Sequence, residues 1–159
     1  MGRIADGLRT FFERAEWDIR PGEIPGSFQM GFQGQNGRWT CVAYAAETQE
    51  QVVFVSLAPA AAQARNIHAV GEFLHRANWG IHIGNFELDF RDGEIRYKTS
   101  LDLEGVEVSY ELIRNLVNAN LHVFNHYLPG VMGVVQGGMS AEEALSRVEQ
   151  CPEDEVTLS

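Results

Sequence analysis

The chain has 159 residues, 45% of them hydrophobic and 21% charged, with 22 acidic against 12 basic side chains and a formal net charge of -10. Such a field repels phosphate backbones and anionic bilayers, which excludes sequence-independent nucleic-acid binding and argues against membrane docking. The length sets the expectation of one domain, large enough to fold without a disulfide or a metal.

The first predicted element is an amphipathic helix. Ile4, Leu8, Phe11, Phe12 and Ala15 recur at helical spacing, and charged residues fill the other positions. The helix should end before the Pro- and Gly-rich stretch at 20–26, which reads as a loop. The period then changes to two. Phe28, Met30 and Phe32 alternate with small or polar residues, and Asn36–Gly37 predicts a hairpin turn. Residues 38–45 and 51–57 supply two further strands around the polar turn at 47–50.

A second helix covers residues 66–78, with Asn66 as the expected N-cap and Gly80 as the stop. Ile67, Val70, Leu74 and Ala77 line one side, and Phe73 lies off that line. An apolar surface wider than one contact needs marks an interface. Ile67, Val70, Phe73 and Leu74 are therefore the expected dimer or partner seam.

The stretch from Asn85 to Leu103 reads as a hairpin about a two-residue turn at Asp92–Gly93. Counting outward pairs Arg91 with Glu94, Asp89 with Arg96 and Glu87 with Lys98, while Phe90 meets Ile95 and Leu88 meets Tyr97. That gives one apolar face and one face of paired opposite charges.

A long third helix should start near Ser109 and be kinked or interrupted at Pro129, whose ring clashes with the carbonyl of Asn125. A short last helix opens with a capping box, Ser140 and Glu143. The expected organisation is one domain over 1–151 and an acidic tail over 152–159. The fold class is α+β: a five-stranded antiparallel sheet with helices mainly on one face, in the order α-β-β-β-α-β-β-α-α.

These elements resemble the YbjN family, the group known as bacterial sensory-transduction regulators. The residues that carry the likeness are 84–106 and 127–145, supported by 32–43 and 72–89. The resemblance implies a type III secretion chaperone-like fold, often dimeric, with no established catalytic residues. Secretion chaperones bind extended segments of partner proteins. The family supplies no motif of functional residues to transfer.

Little in the chain looks like chemistry. His122 and His126 have the one-turn spacing of zinc ligands. Measured from a stripe through Ile113, Phe124 and Val131, they point roughly 180° and 220° away, so a solvated surface is favoured over a metal site. His68, His75 and His82 lack an orienting carboxylate apart from Glu72. Glu87, Asp89, Glu94 and Asp102 sit on a wet strand face with basic neighbours, unlike a buried general acid. The Gly-rich run at 31–37 lies in a hairpin and opens no helix, so it is not a phosphate loop. Core packing is the default reading for Trp17, Trp39 and Trp79, and an exposed one would be a candidate anchor. Cys41 and Cys151 form no ligand cluster and suggest a reducing compartment. With no signal-peptide pattern, and Asp6 where myristoylation wants Ser or Thr, the expected location is cytoplasmic.

The function expected is a non-catalytic protein-binding module, chaperone-like or regulatory, that uses no cofactor or metal and binds an unidentified protein or peptide as a homodimer. The alternative is an enzyme or metal-binding protein whose site is assembled across a dimer. A third reading is a structural subunit of a larger assembly.

Overall fold

The structure, a computed structural model, describes residues 2–151. The acidic tail expected over 152–159 lies outside the described residues. Four helices, α1 (Arg3–Arg14), α2 (Ile67–Gly80), α3 (Tyr110–Val135) and α4 (Ala141–Glu149), pack with six strands. The strands are β1 (Arg20–Pro21), β2 (Ser27–Gly34), β3 (Gly37–Ala46), β4 (Gln51–Leu57), β5 (Asn85–Leu88) and β6 (Ile95–Asp102). They form one antiparallel sheet in the order β1-β2-β3-β4-β6-β5. The α+β class holds, but the sheet has six strands and not five. The extra strand, β1, is two residues long, too short for alternation to show in a sequence. Its Pro21 has no N–H and is tolerated because β1 is an edge.

Alternation along the strands sorts the two faces. Met30, Trp39, Cys41, Phe54, Tyr97 and Phe86 point to the helices. Phe54 stacks on Phe12 of α1, and Trp39 and Phe86 meet Phe124 of α3. A single apolar cluster runs from Ile4 to Val148. The opposite face carries no helix of the described residues.

α1 is held at its N-terminus from outside. Its cap, Gly2, has no side chain to offer, and the Glu47 carboxylate accepts from the Ala5 N–H at 2.7 Å instead. An anion at this end also suits the helix dipole. Arg3 donates to the carbonyls of Leu103 (2.6 Å) and Val106 (2.8 Å) and pairs with Glu50 at 2.8 Å.

Three local expectations are corrected. The β2–β3 turn is centred on Gln35–Asn36, because Gly34 pairs with Gly37. In the β5–β6 hairpin Leu88 faces Ile95 and Glu87 faces Arg96, two residues out of the expected register. Asp89 accepts from the Arg91 N–H and Asp92 from the Glu94 N–H, which stretches the turn beyond two residues and leaves Phe90 outside. A slip of two preserves the faces. Finally, α3 runs unbroken through Pro129 for 26 residues. Proline orphans the carbonyl four residues back, that of Asn125. Here Asn36 Nδ2 donates to that carbonyl at 2.8 Å, and the Asn36 N–H donates to Asn125 Oδ1 at 3.0 Å. The turn of one hairpin thus repairs the helix. α3 starts where expected, after Ser109, whose side chain caps it, and the expected capping box of Ser140 with Glu143 is present.

Candidate interaction surface

The residues that looked most like chemistry do not converge. His122 and His126 are partly exposed, and the His126 ring packs on Tyr127 at 5.1 Å. Among the described residues no group of three His, Cys, Asp or Glu could hold a metal. Asp89 pairs with Arg91, whose hydrogen bonds hold its carboxyl down at about 2. Burial pushes the Cys41 thiol up to about 12, against weaker opposing hydrogen bonds from Ser56 and Trp39, which makes it an inert core residue.

Glu87 bridges Arg96 at 2.8 Å and Lys98 at 3.0 Å, so both registers of the hairpin offered it a cation. Partial burial raises its pKa, and the two hydrogen-bonded cations outweigh that and bring it below the usual value. A depressed carboxyl stabilises the fold above its unfolded pKa and loses that stabilisation as pH falls through the folded value. Glu87→Gln should therefore cost about 0.5–1 kcal/mol at neutral pH, a discounted figure for a partly exposed pair. In urea denaturation the difference should close in acid below the usual carboxylate pKa. A difference that stays constant with pH would remove the ion pair as its cause.

The expected seam on α2 is corrected. Val70, Phe73 and Leu74 are buried inside the protomer, and only Ile67 is partly exposed. Phe73 lies off the stripe because α3 and α4 meet there: a Cβ on Gly130 would come within 2.6 Å of its ring and 2.7 Å of Val148. Those residues are core.

Sequence reasoning also missed an interior polar network. Asn120 of α3 is fully buried against the sheet. Its Oδ1 accepts from Ser56 Oγ at 2.6 Å, and Ser56 Oγ accepts from Trp39 Nε1 at 3.0 Å. Its Nδ2 lies 3.0 Å from the carbonyl of Phe54, 3.1 Å from that of Tyr97 and 3.3 Å from Thr99 Oγ1. Every polar atom in the set has a partner, and the set ties α3 to β3, β4 and β6. It is closed to solvent, so it fixes the packing of the fold and is no catalytic centre.

What does reach solvent is the far side of α2. Trp79 is 95% exposed, with Ile83 at 59% and Phe90 at 60% nearby in the chain. Trp79 lies nine residues from Val70, about 180° around the helix. That angle was available in the sequence and separates Trp79 from Trp17 and Trp39, which pack in the interior. His68, Glu72, His75 and Trp79 follow one another at helical spacing on this outer face, and the His68 ring lies 5.9 Å from Phe90.

The two edges of the sheet differ: β1 covers the outer edge of β2 only at Phe28 and Gln29, while the edge at β5 is capped. β1 ends in Pro21. At β5 the Asn78 side chain of α2 acts as a surrogate strand. Its Oδ1 accepts from the Phe86 N–H at 2.7 Å, and its Nδ2 donates to the Phe86 carbonyl at 3.2 Å. A short, capped edge is a poor template for another strand.

A family model described as a putative bacterial sensory transduction regulator, YbjN, matches residues 5–131. Among solved structures, the fold is similar to that of YbjN, a putative transcription regulator from E. coli. The two share 12% identity with a TM-score of 0.61, over 84% of this chain and 90% of that one. More distant similarities are to a HopA1–SchA chaperone–effector complex (11% identity, TM-score 0.48, 79% of this chain and 94% of that one). The ExsC–ExsE complex follows at 10% identity and a TM-score of 0.46, over 79% and 93%. No curated protein sequence matches the chain.

Proposed function

The chain belongs to the YbjN family, and from that premise we propose that it is a non-catalytic protein-binding module, regulatory or chaperone-like, that works as a homodimer. The observation that carries this reading is the tryptophan held 95% exposed on α2. A fold that buries Trp39 to 3% has no internal reason to leave Trp79 in water. Burying such a ring removes roughly 150–250 Å², or about 4–6 kcal/mol at the usual coefficient.

The outer stripe of α2 suits a second copy of itself. A twofold axis near its middle would set Trp79 of one protomer beside His68 and Phe90 of the other. Glu72 and Arg76, paired at 3.4 Å within one helix, would face their symmetry mates with opposite charge. The net charge of -10 opposes association only weakly at physiological salt, where screening acts over about 8 Å. The same charge supports a partner that is protein and neither nucleic acid nor membrane. No described helix is long and apolar enough to cross a membrane.

Light scattering coupled to size exclusion tests the dimer. The expected result is a dimer mass at micromolar concentration, and a monomer for Trp79→Asp with unchanged far-UV circular dichroism. A monomeric wild type, or a dimer indifferent to Trp79→Asp, would sink the seam.

A further inference from the structure

Of the chain's eight asparagines only Asn36 is followed by glycine. That pair is the one most open to a spontaneous covalent change, because no side chain shields the glycine nitrogen from the asparagine amide. The glycine is there for packing. Gly37 has φ +148°, in the region that disfavours a side chain, and a Cβ on it would come within 3.2 Å of Leu128 of α3. A Cβ on Gly34, on the other side of the turn, would come within 2.6 Å of Asn125 Oδ1 and of the Trp39 ring. The turn is pressed against α3, and the close fit places a labile dipeptide in it.

The same contact restrains the reaction. Asn36 is exposed, yet its side chain and its backbone are both tied. Its Nδ2 donates to the Asn125 carbonyl, and its N–H donates to Asn125 Oδ1. The nucleophile is tied as well. Ser27 gives its carbonyl to Gly22, away from β3. Alternation along β2 therefore turns the carbonyl of Gly34, seven residues on, toward the N–H of Gly37, its partner in register. Cyclisation needs the Gly37 nitrogen to leave that pair and swing onto Asn36 Cγ, and the Nδ2 bond to α3 must break as the amide turns.

We propose that Asn36 is a spontaneous deamidation site that α3 holds in check, and that the change, once made, unfastens the turn from α3 irreversibly. The step balances with water alone. A base removes the Gly37 amide proton, and the nitrogen attacks Asn36 Cγ. The new C–N bond expels Nδ2 as ammonia and leaves a five-membered succinimide. Water then opens either carbonyl of the ring and gives aspartate or isoaspartate at position 36. Both products lose the Nδ2 donor and gain a carboxylate. In the aspartate product the carboxylate faces the Asn125 carbonyl, the one that Pro129 leaves without a helical donor. In the isoaspartate product the chain runs through Cβ, which adds a backbone atom to a two-residue turn.

The test warms the full chain in mildly alkaline buffer and follows the fragment that holds Asn36 by peptide mass mapping, with isoaspartate counted enzymatically. The native chain should convert about tenfold or more slowly than the same chain unfolded in urea. That is the factor set by roughly 1.4 kcal/mol of hydrogen bonding broken before attack. Asn125→Ala removes the acceptor of the Asn36 N–H and should bring the native rate toward the unfolded one. Pro129→Ala, whose restored N–H competes with Nδ2 for the Asn125 carbonyl, is a milder route to the same acceleration. Leu8→Ala, a core truncation in α1, controls for lost stability and should leave the native rate near that of wild type. Asn36→Asp stands in for one product and should lower the urea midpoint at neutral pH. A carboxylate set against a carbonyl has its folded pKa raised, so the gap should close as pH falls through the carboxylate range. Equal rates in the native and unfolded chains would overturn the proposal, and so would an acceleration in Leu8→Ala that matches those of Asn125→Ala and Pro129→Ala. Absence of conversion even in urea would remove the site. An Asn36→Asp chain as stable as wild type at neutral pH would show that the latch survives the change, and would end the proposal.

Discussion

Replacing Asn120 with alanine should cost about 3–4 kcal/mol, among the largest losses available from a single side chain in this fold. The substitution removes the acceptor of Ser56 Oγ and the donor shared by the carbonyls of Phe54 and Tyr97, at a site with no solvent to replace them. Each buried group left without a partner carries its own desolvation penalty of about 1–3 kcal/mol, and the missing side-chain volume adds a cavity. For a chain of this length each kcal/mol lowers the midpoint by about 2–4 °C, so thermal denaturation should show a fall near 10 °C. Asn120→Asp tests the chemistry apart from the volume. At neutral pH it would set a carboxylate against two carbonyl oxygens and should be at least as damaging. In acid the neutral form can donate one hydrogen bond, and the gap to wild type should narrow. An alanine variant within about 1 kcal/mol of wild type would show that the network is incidental to stability.

A second expected result concerns the bridge between Asn36 and Asn125. Asn36→Ala should cost about 1–2 kcal/mol, because it strips the Nδ2 donor from the Asn125 carbonyl while the backbone N–H of residue 36 goes on donating to Asn125 Oδ1. The carbonyl lacks a helical partner only because residue 129 is proline. In the background of Pro129→Ala the restored N–H can take over that carbonyl, so the cost of Asn36→Ala should drop by about 1 kcal/mol or more. The double-mutant cycle reads this coupling directly from urea midpoints. Strict additivity would mean that the hairpin turn does not support the helix at its proline.

These two sites mark where the sequence stopped being legible. The helices of residues 3–14, 67–80 and 141–149, the start of α3 near Ser109 and the capping box at Ser140 rest on signals within a few residues, and they were read correctly. The β5–β6 register was not, because two registers two residues apart satisfy the same charges: Glu87 finds Lys98 in one and Arg96 in the other, and the folded chain uses both. Pro129 within α3 could not be anticipated, since the group that rescues it lies 89 residues away. Phe73 was misassigned to a seam for a similar reason: a residue off its helix's main stripe faces either a partner or another helix of the same chain, and only the tertiary packing decides. Trp79 is the converse case: core packing was its default reading, yet it is 95% exposed, and its angle on α2 was computable from the sequence.

The grip of Arg3 on the carbonyls of Leu103 and Val106 bears on how the protein is made. The Arg3 contacts of α1 span 100 and 103 positions, and those of Asn120 with β4 span 64 and 66. A ribosome delivers the first helix early and its partners late. Until Val106 has left the exit tunnel α1 has only Glu47 and the early strands to hold it and lacks its Arg3 anchor, and until α3 follows the sheet's inner face stays wet. Such long loops must close before they are rewarded, which places the fold among the slower ones, milliseconds to seconds by the usual scaling. The nascent chain therefore passes most of its synthesis with its largest apolar surface open to whatever binds emerging polypeptides.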